Sequence, residues 1–160
     1  MKEVIMKDDF YEVIPLKELK HFLRINGEHD DMLLKSLTKT AIQFAETFLE
    51  TEILKKEIRA TLVFKNKISL KKPILEIISV KHEGGDISFK TEGKYLIPNV
   101  KIGSEIEIIY ISGAEENHVK ADLKAALMGH ILSLYDLKNG GGKVPPFCLS
   151  IYNQYKNINF

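Results

Sequence analysis

The feature that most constrains this chain is a double switch of hydrophobic period. Leu34, Leu37, Ala41, Phe44 and Phe48 step by three and four residues, as one face of a helix does. Leu33, Ile42, Ala45 and Leu49 widen the stripe to a second face, which predicts contact with two neighbours, another chain among the candidates. At Ile58, Ala60, Leu62 and Phe64 the period falls to two, and it is two again where Glu105 and Glu107 alternate with Ile106, Ile108 and Tyr110. It returns to helical spacing over Asp122 to Leu137, with Leu123, Leu127, His130, Ile131 and Leu134 on one face and Ala125, Ala126 and Gly129 offering close approach. A helical pattern cannot bury its apolar set as a strand, nor the reverse. The reading is therefore α+β: long helices packed as a small bundle, with a β-hairpin or β-sheet insert between the N-terminal and C-terminal helices.

Local signals set the expected boundaries. Pro15 suits the first turn of a helix carrying Leu16, Leu19, Phe22 and Leu23, and Asn26-Gly27 stops it. Asp30 or Asp31 caps the long helix, which ends near Thr51 to Leu54. Asn66 marks a turn, with Ile68 to Leu70 returning as a hairpin partner of the first strand. Leu75 to Val80 is a second β-rich run, and Ile87 to Phe89 and Tyr95 to Ile97 flank the turn at Glu92-Gly93. Asn139 to Gly142 ends the last long helix, Val144-Pro145-Pro146 reads as a stiff spacer, and Phe147 to Tyr155 as a short terminal helix. The expected division is one domain over 1–142 (helical 14–54, β insert 55–113, helix 118–139) and a C-terminal arm over 143–160.

Composition narrows the class of function. The 160 residues suit one domain, and a net charge of +1 excludes a chain-wide polycation. Neutrality conceals blocks: residues 1–54 carry 7 basic and 11 acidic side chains, residues 55–114 carry 11 and 7, and residues 115–160 carry 5 and 4. Opposite blocks suit head-to-tail contact between identical subunits, although scattered solvated charge gives the same counts. Cys148 is the single cysteine, Met1 to Phe10 lacks the apolar core of a signal peptide, and no run of about 18 apolar residues occurs. The expectation is a soluble, intracellular protein with no membrane partner.

No catalytic constellation appears. Gly140-Gly141-Gly142-Lys143 follows a helix and lacks the hydroxyl and spacing of a phosphate loop, so a flexible hinge is the better reading. His21, His29, His82, His118 and His130 are not spaced as metal ligands, and His130 falls on an apolar helix face. Cys148 between Phe147 and Leu149 reads as a structural or interface thiol. The expectation is no enzyme, no cofactor and no metal. Lys55, Lys56, Lys65, Lys67, Lys71 and Lys72 concentrate charge on the first hairpin. Lys65, Lys67, Lys71 and Lys72 are candidates for contact with DNA phosphates or with a neighbouring subunit. The alternative is a solvated hairpin whose charges guard its edges. A small nucleic-acid-binding or regulatory module using this hairpin is the second functional reading.

The order of several phrases resembles one family. Ile14-Pro15-Leu16-Lys17-Glu18-Leu19-Lys20-His21-Phe22-Leu23-Arg24-Ile25 is similar to the opening of phage head–tail connector (adaptor) proteins, and the acidic turn Asn26 to Asp31 follows. Leu33-Leu34-x-x-Leu37 and Ala41-x-x-x-Ala45-Glu46-x-Phe48 resemble that family's first long helix. Lys72-Pro73-Ile74-Leu75-x-Ile77-x-Ser79-Val80 resembles a strand of the family, and Tyr110-x-x-Gly113 a strand end. Asp122-Leu123-Lys124-x-Ala126 with Tyr135 resembles the next helix, Val144-Pro145-Pro146 and Tyr155-Lys156 the closing phrase. Lys120 stands where the family often has proline.

The resemblance implies a structural role in a tailed phage, prophage or gene-transfer particle. It implies a ring of about a dozen copies below the portal protein, extending the channel for double-stranded DNA and docking the next neck or tail protein. It places the protein in the virion neck, and in the host or bacterial cytoplasm during assembly. In some relatives the C-terminal segment docks on the portal, which makes Phe147, Tyr152, Tyr155 and Phe160 candidate anchors here.

Overall fold

The computed structural model describes residues 1–8, 12–115, 118–136 and 143–157. The chain is α+β and divides into two compact units, each discontinuous in sequence. One comprises Met1–Phe10 and Leu54–Ala114, the other Tyr11–Ile53 and Glu115–Phe160. Residues 143–157 group with the helices and residues 1–8 with the sheets.

The sheet unit is built around β8 (Glu105–Ser112), which lies between β2 (Lys56–Val63) and β4 (Ile74–His82). Adding β1 (Lys2–Asp8) outside β2 and the short β5 (Gly85–Asp86) outside β4 gives a five-stranded antiparallel sheet, order β1-β2-β8-β4-β5. Alternation in β2 and β8 sends Ile58, Ala60, Ile106, Ile108 and Tyr110 to one buried face. Register pairs Ile58 with Tyr110 and Ala60 with Ile108, so apolar side chains meet directly across the strands. In β4 the buried face is reached by Ile74, Ile77 and Val80, three residues apart. Two register shifts, between Ile74 and Glu76 and between Ile77 and Ser79, insert the extra residues that convert a period of two into three.

A second, three-stranded sheet has β7 (Tyr95–Pro98) between β3 (Ile68–Ser69) and β6 (Phe89–Glu92). This corrects the expected first hairpin. β3 pairs with β7, not β2, because the end of β2 is already engaged: the Phe64 N–H donates to the Ser104 carbonyl (2.8 Å) and the Gly103 N–H to the Phe64 carbonyl (2.7 Å). Ile68, Leu70 and Leu96 join Ile58, Val80 and Tyr110 in one apolar cluster. β1 has no alternating signature because Val4, Ile5 and Met6 are contiguous and its register shifts between Ile5 and Lys7.

The helical unit consists of α1 (Leu16–Leu23), α2 (Asp31–Leu49), α3 (Ala121–Tyr135) and α4 (Pro146–Asn157). α2, α3 and α4 pack against one another in every pairing, and α1 contacts α2 and α3. α1 ends three residues before Asn26: Arg24 adopts a left-handed conformation (φ 57°) and the Ile25 N–H reaches the Lys20 carbonyl at 2.9 Å. Glu50 (φ 54°) ends α2 in the same way. α3 starts at Ala121 with the extended Lys120 as its flanking residue, so the lysine at the family's proline position does not prevent a clean start. α4 begins with Pro146 in the first helical position, where its missing N–H costs nothing.

Candidate functional site

In the sheet unit, the loop that enters β4 is held by the end of β8. The buried Tyr110 hydroxyl accepts the Lys71 N–H (3.3 Å) and donates to Glu3 Oε1 of β1 (3.1 Å). The Ser112 hydroxyl donates to the Lys71 carbonyl (3.1 Å), and the Gly113 N–H to the Pro73 carbonyl (3.0 Å). Gly113 has φ 116°, and a Cβ there would overlap the Leu54 carbonyl. The phrases around Pro73 and Tyr110-x-x-Gly113 therefore form one hydrogen-bonded corner, which is a structural reason for those residue types.

The four candidate lysines do not share one surface element. Lys71 Nζ lies 3.5 Å from Glu3 Oε2 at this corner, and Lys72 is half-buried beside it. Lys65 is exposed in the connection after β2. Lys67 pairs with Glu92 of β6 (2.7 Å) and lies 5.7 Å from the Tyr95 ring centre, with Lys94 at 5.2 Å from the same ring. The pairing raises the Lys67 ammonium pKa and lowers that of the Glu92 carboxyl, through hydrogen bonding and then charge attraction. Sequence spacing could not place Lys90 and Lys94 with Lys67, because the juxtaposition arises only when β3, β7 and β6 assemble.

A groove of about 770 Å³ at the far ends of β4 and β8 is lined by Lys81, His82, Glu83, Lys101, Glu105 and Glu107. Charges of both signs alternate there, and the His82 Nδ1–H donates to the Glu105 carbonyl (2.8 Å). Among the described residues no group of three or more metal-ligating side chains comes together.

In the helical unit, the acidic turn works as a tie. Asp30 flanks the start of α2 but makes no capping bond with its side chain; it accepts the Tyr135 hydroxyl of α3 at 2.6 Å. Asp31 pairs with Lys20 of α1 at 2.8 Å. Two adjacent carboxylates thus join three helices. The Tyr135 phenol is raised in pKa, chiefly by its bond to Asp30.

The candidate anchors fall in different settings. Tyr152 is fully buried, against the stacked Phe44 and Phe48 rings (6.4 and 6.2 Å) and 3.5 Å from His130 Nδ1. Tyr155 is buried and donates its hydroxyl to Asp122, whose carboxyl is held below its usual pKa mainly by that bond. Burial raises both tyrosine pKa values, lowers that of His130 and raises that of the Cys148 thiol. Cys148 packs on Gly129, where a Cβ would come within 3.0 Å of its sulfur. Phe147, by contrast, is 63% exposed. Phe160 and the triple glycine of the expected hinge lie outside the described residues. No described helix is long and apolar enough to cross a membrane.

These features define a class first: a small two-unit α+β scaffold whose buried polar side chains join elements to one another. The chain belongs to the phage gp6-like head-tail connector protein family, whose model matches residues 13–93. Members of that family are structural proteins rather than enzymes, and this chain is a structural connector. Its fold is similar to a chain in the virion of a native gene transfer agent particle (TM-score 0.78) and to chains in two neck structures. One is the neck of an empty gene transfer agent particle computed with C6 symmetry (TM-score 0.76), the other the neck of a native particle computed with C12 symmetry (0.71). Each is 16% identical, and each match covers 100% of this chain and 97% of the other. No curated protein matches the sequence.

Proposed function

We propose that this connector works in the neck of a tailed phage, prophage or gene-transfer particle as one subunit of a closed ring. The ring sits below the portal protein, extends the DNA channel and presents a surface to the next neck or tail protein. The observation that carries this reading is the family match over residues 13–93, joined to a fold likeness that spans the whole chain. The C6 and C12 symmetries of the similar neck structures support a ring, since heterologous contacts close only under rotational symmetry.

On the portal side, the proposed anchor is Phe147. Tyr152 and Tyr155 are committed to the chain's own helices, whereas Phe147 offers an exposed aromatic at the start of α4. Native mass spectrometry of the chain mixed with its portal protein tests the reading. A defined ring on the portal is the expected result. A chain that stays monomeric and never binds portal would overturn it. Phe147→Ala is expected to weaken portal binding at least tenfold with the helical content unchanged; unaltered binding would remove Phe147 from the contact.

A further inference from the structure

We propose that the outward face of the β3-β7-β6 sheet is a non-specific contact surface for the phosphate backbone of double-stranded DNA. Lys67, Lys90 and Lys94 are its cations, with the Tyr95 ring as the platform under Lys67 and Lys94. The inference rests on the connector reading and adds to it the surface that meets the DNA.

Register places the parts. Lys90 and Glu92 alternate onto one side of β6, and Glu92 pairs with Tyr95, which pairs with Ser69. The other side takes Leu96 and Ile68, which are buried in the apolar cluster. Ser69 is exposed beside the buried Ile68, and Tyr95 is half-buried beside the buried Leu96, so this side faces outward, while β6 is exposed throughout. The Lys67 and Lys94 ammonium groups lie 5.7 and 5.2 Å from the Tyr95 ring centre. The ring supports the lysine stems and gathers two cations about one point, of which Lys67 also pairs with Glu92.

Three lysines with one carboxylate, Glu92, leave this small sheet with a surplus of two positive charges. The surplus is local. Counting by unit, the sheet unit has 13 basic and 10 acidic residues, and the helical unit 10 and 12. An acidic polymer of regular spacing fits this arrangement: ammonium groups are point donors that accept a phosphate in any orientation. None of these side chains has the bidentate geometry that reads base edges. With Lys67 paired to Glu92, a net contact of two phosphates gives weak, sequence-independent binding with a slope of log affinity on log salt of roughly −1.8. Weak contact repeated around a ring guides a duplex and lets it move.

The test uses the full chain and a labelled 30-base-pair duplex of arbitrary sequence, with anisotropy followed from low to physiological salt. The expected result is linear salt dependence and at least tenfold weaker binding for Lys67→Glu/Lys90→Glu/Lys94→Glu. Lys17→Glu/Lys35→Glu/Lys39→Glu, the same charge change on the helices, should stay within about threefold of wild type. Lys90→Gln/Lys94→Gln leaves the Lys67–Glu92 pair intact and should lower the magnitude of the slope by nearly 2. Absence of wild-type binding at the lowest salt overturns the proposal, as does equal loss in the helical control. Portal binding by the sheet variant separates the two ideas. A variant that joins the portal but keeps full DNA affinity refutes this surface alone, whereas failure of the wild type to join the portal refutes the connector reading.

Discussion

Gly113 leaves no room for a methyl group. Its φ of 116° disfavours any L side chain, and the Leu54 carbonyl fills the place of a Cβ. Gly113→Ala is expected to destabilise the protein by about 3 kcal/mol or more, read as a fall in denaturation midpoint. Gly129→Ala sets two effects against each other. Alanine gains ~1 kcal/mol of helix propensity, while pushing against Cys148 costs about 1–3 kcal/mol. The single variant should be less stable, and adding Cys148→Ala should recover most of the loss. Arg24 and Glu50 run the other way, because each occupies a left-handed position that glycine tolerates better. Each change to glycine should stabilise by about 0.5–1 kcal/mol after glycine's own entropy cost. His130 adds a pH dependence. Burial lowers its folded-state pKa, so the native state binds fewer protons than the unfolded chain. Its contribution is fully present above the ordinary histidine pKa, about 6.5, and is lost as pH falls through the folded value. A thermal melt series should therefore show a loss below about pH 6.5 that His130→Phe reduces.

At the scale of elements, α4 is fixed by three different contacts with α3: sulfur against glycine, tyrosine near histidine, and tyrosine to aspartate. The last can be read directly. Tyr155→Phe removes the main cause of the depressed Asp122 pKa, which should rise toward the ordinary aspartate value in a carboxyl titration by NMR. No rise would mean that the bond is absent in solution. The bond's contribution is present above that ordinary value and fades as pH falls through the depressed one. The helices were legible because Leu34, Ala41 and Leu123 announce a period of 3.6, and β2 and β8 because their faces alternate. β4 was legible as a strand but not in register, since its buried residues recur every third position through two bulges. β1 was not legible, as a contiguous Val4-Ile5-Met6 run carries no period. The basic residues were visible from composition, but the grouping of Lys67 with Lys94 around Tyr95 depends on pairing between distant segments. Asp30 and Asp31 look like capping residues, and only the tertiary structure shows them spent on Tyr135 and Lys20.

At the scale of the molecule, the two units give separate readouts. Cys148 lies buried in the helical unit with its thiol pKa raised, so a disulfide reagent should label it slowly in the native state and rapidly in denaturant. Fast native labelling would show that α4 leaves its neighbours readily. Both units are interrupted in sequence, and that interruption has a consequence in time. During synthesis, β1 emerges some 50 residues before the first strand it can pair with. At about 5–20 residues per second that is a wait of roughly 3–10 s. α2 likewise precedes α3 and α4 by most of the sheet unit. Each half must therefore hold an unfinished surface while the other is being made, and the apolar edge residues Val4, Ile5 and Met6 stay unpaired through that interval.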